Sequence, residues 1–336
     1  MWILVFWLAC VQYNSTQSKG NDTGDLVIDI EDFIPNGSSE DCTSTQGLTM
    51  GTTVSPHFEM WLNSQYPDTN FVRDDLVGGS FGGLISNEDC LTHTPVIFVH
   101  GNSDRAIGGL FGGWSNSRDI FLNNGYRSAE LYATTYGFPE TQTPDQYAHT
   151  KRNLLQVRKF IDTVLEYTGS TQVNIVAHSL GVTLARRAIL GGNEMDADGS
   201  IYDIGPQLTD QINVFVGIAG ANQGLASCAF ANTPICGRDL GLYPGTWRNG
   251  TLEEQSRIIQ TINEQMHYEG QTVYSIWGEA DGLLGNDDLL DCLLYGSNTC
   301  IIPGHDGEYN EYLGHLDIRD QTGQMQVNMI QSTYSD

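Results

Sequence analysis

The chain has 336 residues, with 41 acidic and 15 basic side chains, a formal charge of −26 at pH 7 and seven cysteines. That charge argues against nucleic acid and anionic membrane surfaces as partners, because phosphate-rich surfaces repel it. It identifies no substrate and fits colloidal solubility in an extracellular or digestive fluid.

Residues 2–10, WILVFWLAC, form an apolar run too short to span a bilayer. The run reads as the core of a signal peptide over residues 1–15, although no positive region precedes it. A lipoprotein reading of LAC fits poorly because of Trp7. Residues 16–41 are polar, acidic and rich in Asn-x-Ser/Thr sequons, and are expected to be a flexible leader. Residues 42–336 are expected to form one domain, since no linker divides them and no repeat is evident. No later run is long and apolar enough to be a transmembrane span. Strand and helix patterns alternate beyond the leader, which predicts an α/β fold with a doubly wound, mostly parallel sheet and helices on both faces.

In TPVIFVHGNSD, Val96 to Val99 have the continuous apolar character of a buried parallel strand. The strand ends in His100-Gly101-Asn102. A glycine there lets the backbone approach a ligand closely, and the main-chain N–H of Asn102 is a candidate oxyanion donor. His100 reads as a loop residue that ties down backbone. Further on, TPDQYAHTKRNLLQVRKFIDTVLEYTG places Thr143 as a cap, Pro144 in the first turn and Gln146 as the partner of a capping box. Leu154, Val157, Phe160, Ile161, Val164 and Leu165 then fall on one helical face. This predicts a crossover helix whose basic face is solvated.

The stretch VNIVAHSLGVTLARRAIL changes period in its middle. Val173, Ile175, Val176 and Ala177 form a strand-like run, whereas Leu180, Leu184, Ala188 and Ile189 recur at helical spacing. Ser179 therefore sits on a strand-to-helix turn with small residues two before and two after it, Ala177 and Gly181. The pattern is the G-x-S-x-G nucleophile elbow with alanine for the first glycine. At the positive end of the new helix, the N–H of Leu180 can face a developing oxyanion. An ordinary N-cap serine is the plain alternative.

Two later segments could cover a site. Gly191 to Asp210 is too polar for an apolar lid. Leu225 to Gly250 carries Phe230, Ile235, Leu240, Leu242, Tyr243 and Trp247, but Pro234 and Pro244 oppose a long helix, so a fixed wall is expected. In QTVYSIWGEADGLLG, the strand Val273 to Trp277 leads into a polar turn where Asp281 can orient a base and Glu279 competes. Asp287, Asp288 and Asp291 read as solvated surface, without the spacing of an EF-hand loop. For the base, EYLGHLDIRD places His315 after Gly314 and just before a final helix. His305, in PGHDGEY, is the other candidate and reads as an exposed loop residue.

With these residues in view, the chain resembles the class 2 secreted lipases, of the kind found as lipase-related proteins in nematodes. More distantly it is similar to small bacterial lipases of the Bacillus lipase A type, which also carry Ala-x-Ser-x-Gly. The matching segments are MWLNSQYP, GGSFGG, PVIFVHGN, AHSLGVTLARRAILGG, VFVGIAGANQG, IWGEADGLL and GHLDIRDQT. The resemblance implies an α/β-hydrolase with Ser179, Asp281 and His315 as triad and Asn102 and Leu180 as oxyanion donors. It would cleave carboxylic esters, acylglycerols or similar lipids, through an acyl-enzyme and without a cofactor or metal. A longer cysteine-bearing insert separates Asp281 from His315 than in the bacterial enzymes. Rival readings are a thioesterase, amidase or polyester depolymerase with the same machinery, or a catalytically silent binding protein. The expected partner is a lipid or small ester, and the oligomeric state is left open.

Cysteine usage agrees with a secreted, extracellular protein. Apart from Cys10, six remain: Cys42, Cys90, Cys228, Cys236, Cys292 and Cys300. Cys228 with Cys236 and Cys292 with Cys300 would close short loops, leaving Cys42 for Cys90. No CxxC suggests zinc. Sequons at Asn14, Asn21, Asn36 and Asn249 fit a glycosylated product of a secretory route.

Overall fold

The structure, a computed structural model, describes residues 52–85, 89–248, 251–284 and 299–332. The signal-peptide segment, the leader, Cys42, Cys292 and the sequons at Asn14, Asn21, Asn36 and Asn249 lie outside the described residues.

The strands are β1 (Ser80–Phe81), β2 (Val96–Val99), β3 (Leu131–Thr134), β4 (Val173–His178), β5 (Asn193–Met195), β6 (Ile201–Asp203), β7 (Ile212–Ile218), β8 (Thr246–Arg248), β9 (Thr251–Glu253), β10 (Thr272–Gly278) and β11 (Gly307–Glu311). Seven of them form one sheet in the order β1-β3-β2-β4-β7-β10-β11. All neighbours in it run parallel except β1 with β3. Every residue of β4 is buried, so both sheet faces are covered there, as its unalternated apolar run requires. From β2 the chain builds outward through β3, then returns to β4 and builds the other way through β7, β10 and β11. The direction of winding therefore reverses between β2 and β4. A crevice opens at such a reversal beyond the carboxyl ends of the strands, and the turns that follow β2 and β4 lie in it.

The helices are α1 (Pro56–Gln65), α2 (Ser115–Asn123), α3 (Lys151–Thr168), α4 (Leu180–Leu190), α5 (Arg257–Asn263), α6 (Asp317–Gln321) and α7 (Gly323–Ile330). α4 packs between α3 and α5, while α2 packs against α6 and α7. Below α1, the ring of Phe58 lies 4.3 Å from Tyr167 on α3 and 5.5 Å from Tyr132 on β3, joining helix layer to sheet.

The crossover helix starts later than its capping pattern suggests. Thr143, Pro144 and Gln146 do make a capping box, but around a single 3-10 turn, Pro144–Gln146. The chain then runs extended through Tyr147, Ala148 and His149, all buried, before Thr150 caps α3 by accepting from the N–H of Asn153. His149 explains the delay. Its ring bonds the carbonyl of Leu240 at 2.9 Å and Thr183 Oγ1 at 2.8 Å, a position a continuous helix would not supply. Nor is the basic face of α3 wholly solvated. Arg158 is buried, donating to the carbonyls of Ala188 and Pro206 (3.2 and 2.6 Å) and pairing with Asp162.

Two buried ion pairs anchor the second half of α4. Arg186 Nε meets Glu269 Oε1 at 2.7 Å with both side chains at 0% exposure, and Arg187 Nε meets Glu194 Oε2 at 2.7 Å. Glu194 belongs to β5, so the polar segment after α4 is a hairpin, β5 with β6, locked onto the helix. Cys228 and Cys236 form a disulfide. Cys90 is also disulfide-bonded, and Cys300 is buried.

Candidate active site

Ser179 follows the last residue of β4 with φ 54° and ψ −129°, a conformation that non-glycine residues rarely adopt. Its N–H donates to the carbonyl of Ile218 at 2.9 Å, and its carbonyl accepts from Val182 at 3.0 Å. Two glycines make the turn possible. A Cβ on Gly181 would fall 2.3 Å from the His100 carbonyl oxygen, so the helix can approach β2 only without a side chain. A Cβ on Gly101 would fall 2.9 Å from both Ser179 Cβ and His178 Nδ1. The loop after β2 therefore lies directly on the serine turn. Ala177 is opposite Val99 and Gly217 in the adjoining strands, where a small residue fits.

His315 reaches the serine from the segment between β11 and α6. Its Nε2 lies 3.0 Å from Ser179 Oγ, and its Nδ1 lies 2.7 Å from Asp281 Oδ2. A carboxylate only accepts, so Nδ1 carries the proton and Nε2 can accept from the hydroxyl. Asp281 stands in the turn after β10, fully buried, and its other oxygen accepts from the N–H groups of Leu283 (2.9 Å) and Leu284 (3.1 Å). Burial raises the pKa of this carboxyl. The bond and charge of His315 and the two amide donors outweigh burial and hold it below the usual value.

The competing candidates lie elsewhere. Glu279 is exposed and accepts from Asn310 Nδ2 at 2.7 Å. His305 is half-buried rather than exposed, because its Nδ1 meets Ser275 Oγ at 2.9 Å under the sheet edge. His100 is fully buried, bonded to the carbonyl of Gly101 (2.7 Å) and the N–H of Tyr136 (3.0 Å). Burial pushes its pKa down to about 3, so it serves the backbone as a neutral ring.

The loop after β2 is held in shape by its own bonds. The N–H of Asp104 donates to the Gly101 carbonyl at 3.3 Å, and Asn102 Nδ2 donates to the Pro144 carbonyl at 2.9 Å. Asn102, Leu180, Ser179 and His315 all border a cavity of about 510 Å³. Leu225, Ile235 and Leu242 form part of its wall, and the Cys228–Cys236 disulfide closes the loop that carries Ile235. Phe111, Leu283, Leu284 and Leu316 add to the apolar lining. The cavity can accept an apolar group beside the Ser179 hydroxyl and the His315 ring.

Three polar residues of this site were not anticipated from sequence. His178 donates from Nε2 to the main-chain oxygen of His315 at 3.0 Å. Asp104 forms a buried pair with Arg319, Oδ2 to Nη1 at 2.6 Å, and Arg319 Nη2 also donates to the Phe111 carbonyl. The available signal was spacing: Arg319 is one helical turn beyond His315, and Asp104 is two residues beyond Asn102.

A seven-stranded, mostly parallel sheet with a serine turn at its winding reversal defines an α/β-hydrolase. Within that class, residues 93–328 match the family described as Lipase (class 2), and the chain belongs to it. It is an ester hydrolase of α/β fold. Solved structures similar to it include a truncated carbohydrate esterase from gut microbiota, at 14% identity and TM-score 0.47, covering 79% of this chain and 94% of that one. An esterase from Pyrococcus furiosus follows at 11% and 0.43 (71% and 81% covered), and a putative esterase from Staphylococcus aureus at 17% and 0.42 (72% and 76%).

Proposed function

We propose that the protein is a secreted serine hydrolase of lipid esters, with Ser179 as nucleophile, His315 as base and Asp281 as the acid that orients it. One observation carries the reading: a continuous Ser179–His315–Asp281 hydrogen-bond chain of 3.0 and 2.7 Å opening into an apolar cavity. His315 takes the Ser179 proton as Oγ attacks the ester carbonyl. The N–H groups of Asn102 and Leu180 hold the tetrahedral oxyanion. His315 then gives its proton to the departing alcohol, and water repeats the sequence on the acyl-enzyme to release the acid. Asp281 holds the imidazole in the tautomer that keeps Nε2 free and stabilises the imidazolium.

The Cys228–Cys236 disulfide supports an oxidising compartment. Among the described residues, no helix is long and apolar enough to cross a membrane. A wall fixed by that disulfide, with Leu225 and Ile235 on it, supports short- and medium-chain acyl groups and weak interfacial activation. The test is labelling with a fluorophosphonate followed by peptide mapping. The adduct is expected on the peptide carrying Ser179, and an adduct on any other serine overturns the assignment.

A further inference from the structure

His178 is buried at the centre of the site, next to the nucleophile, yet takes no part in the chemistry proposed above. Its Nε2 faces the main-chain oxygen of His315 at 3.0 Å. A carbonyl only accepts, so Nε2 must hold the proton and Nδ1 must be bare in the neutral ring. Nδ1 is buried and has no hydrogen-bond partner among the described residues. Leaving a buried acceptor unpaired carries a desolvation cost, and an apolar residue would avoid it. The histidine is therefore explained by its other nitrogen.

We infer that His178 is a positioning residue that fixes the main chain of His315 and, through Gly101, the oxyanion loop, an inference that rests on the proposed roles of Ser179 and His315. Asp281 grips the His315 ring at Nδ1 alone. The main chain on either side is tied at the carbonyls of Leu313, Gly314 and Leu316, which accept from Ala280, Ile318 and Asp320, while the carbonyl of His315 itself accepts from His178. The bond from His178 fixes the same residue at its carbonyl, giving His315 one attachment on its ring and one on its main chain. The rings of His178 and His315 lie 4.8 Å apart, close enough for any shift of one to reach the other. On its far side, Nδ1 faces Gly101, where an added Cβ would come within 2.9 Å of it, so only glycine leaves the ring its room. His178 thus spans the two parts that must keep their distance during attack, the base and the oxyanion donors. A lysine or arginine could make the same bond but would put a permanent charge beside the imidazolium that forms on His315. Burial, with His315 as a further cause, holds the His178 pKa well below its usual value and keeps the ring neutral.

The test compares two substitutions of equal polarity and different reach. Glutamine places its amide nitrogen where Nε2 stands, whereas asparagine places it where Nδ1 stands. His178→Gln is expected to keep kcat within about threefold of wild type, and His178→Asn to lose about 30-fold in kcat with KM little changed, as expected when only the transition state is misaligned. Equal rates for the two variants overturn the proposal. A measurement on the unmodified protein stands beside it: nitrogen NMR of His178 should show a protonated Nε2 and a bare Nδ1, and the reverse tautomer also overturns the proposal. Ser179→Ala is run in the same assay. If it still turns over, the reading of the whole site has failed; if it is inactive while His178→Asn matches wild type, only the positioning role has failed.

Discussion

The two ends of α4 are held by opposite means. At its N-terminus Ser179 sits in a strained backbone conformation, packed through gaps left by glycines and touching the cavity. At its C-terminal half Arg186 and Arg187 are sunk into buried carboxylates and carbonyls, with Arg186 also bonding Asn222 and Asn263. A strained residue persists only where its surroundings over-determine it, and the anchored half supplies that constraint. Substitutions at the first end should therefore change rate at nearly constant stability, and those at the second should change stability at nearly constant rate.

The largest effect is expected at the strained end. Ser179→Ala should lower ester turnover by about a millionfold while the protein unfolds at its usual temperature. A parallel fall in thermal midpoint would erase the contrast. Asp281→Asn should follow at about ten-thousandfold, since the base is left in the wrong tautomer, whereas Glu279→Gln should turn over normally; steady-state kinetics on one soluble ester decide both. At the anchored end, Glu269→Gln leaves Arg186 charged and unpaired, and denaturant unfolding should record a loss of about 3–5 kcal/mol. Turnover per folded molecule should be unchanged, and a fall in kcat there would mean that the two ends are not separable. The smallest effect belongs to the wall. Replacing Cys228 and Cys236 together by serine should cost about 2–3 kcal/mol, the order expected for so short a loop. It should also widen the tolerated acyl length, read as the kcat/KM ratio of dodecanoyl to butanoyl esters. An unaltered ratio would show that Leu225 and Ile235 hold their places without the bridge.

The same contrast governs what the sequence reveals. Strand runs and the Ala177-His178-Ser179-Leu180-Gly181 turn are local patterns, and the elbow lies where they place it. Asp281 and His315, the proposed acid and base, follow from chain order in this type of fold, with Glu279 and His305 as alternatives whose hydrogen bonds lie elsewhere. Arg186 and Arg187 were illegible. Adjacent arginines on a helix suggest a solvated face, and nothing near them in sequence announces Glu269. The start of α3 differs from its sequence pattern for a related reason: a capping box is satisfied within one turn, and Thr143 and Thr150 both cap, whereas the burial of His149 between them depends on Leu240. His178 is not legible in sequence because its partner is a main-chain oxygen far along the chain, which no side-chain pattern encodes.

The backbone of Ser179 sets a lasting tension for the lineage that carries it. With φ 54° and ψ −129°, the position is one that glycine would occupy with less strain. A chain with Ser179→Gly should therefore fold at least as stably as the working protein and cleave nothing. Drift at this codon, left to stability alone, would run toward inactivity; only continued demand for hydrolysis keeps the less comfortable residue in place.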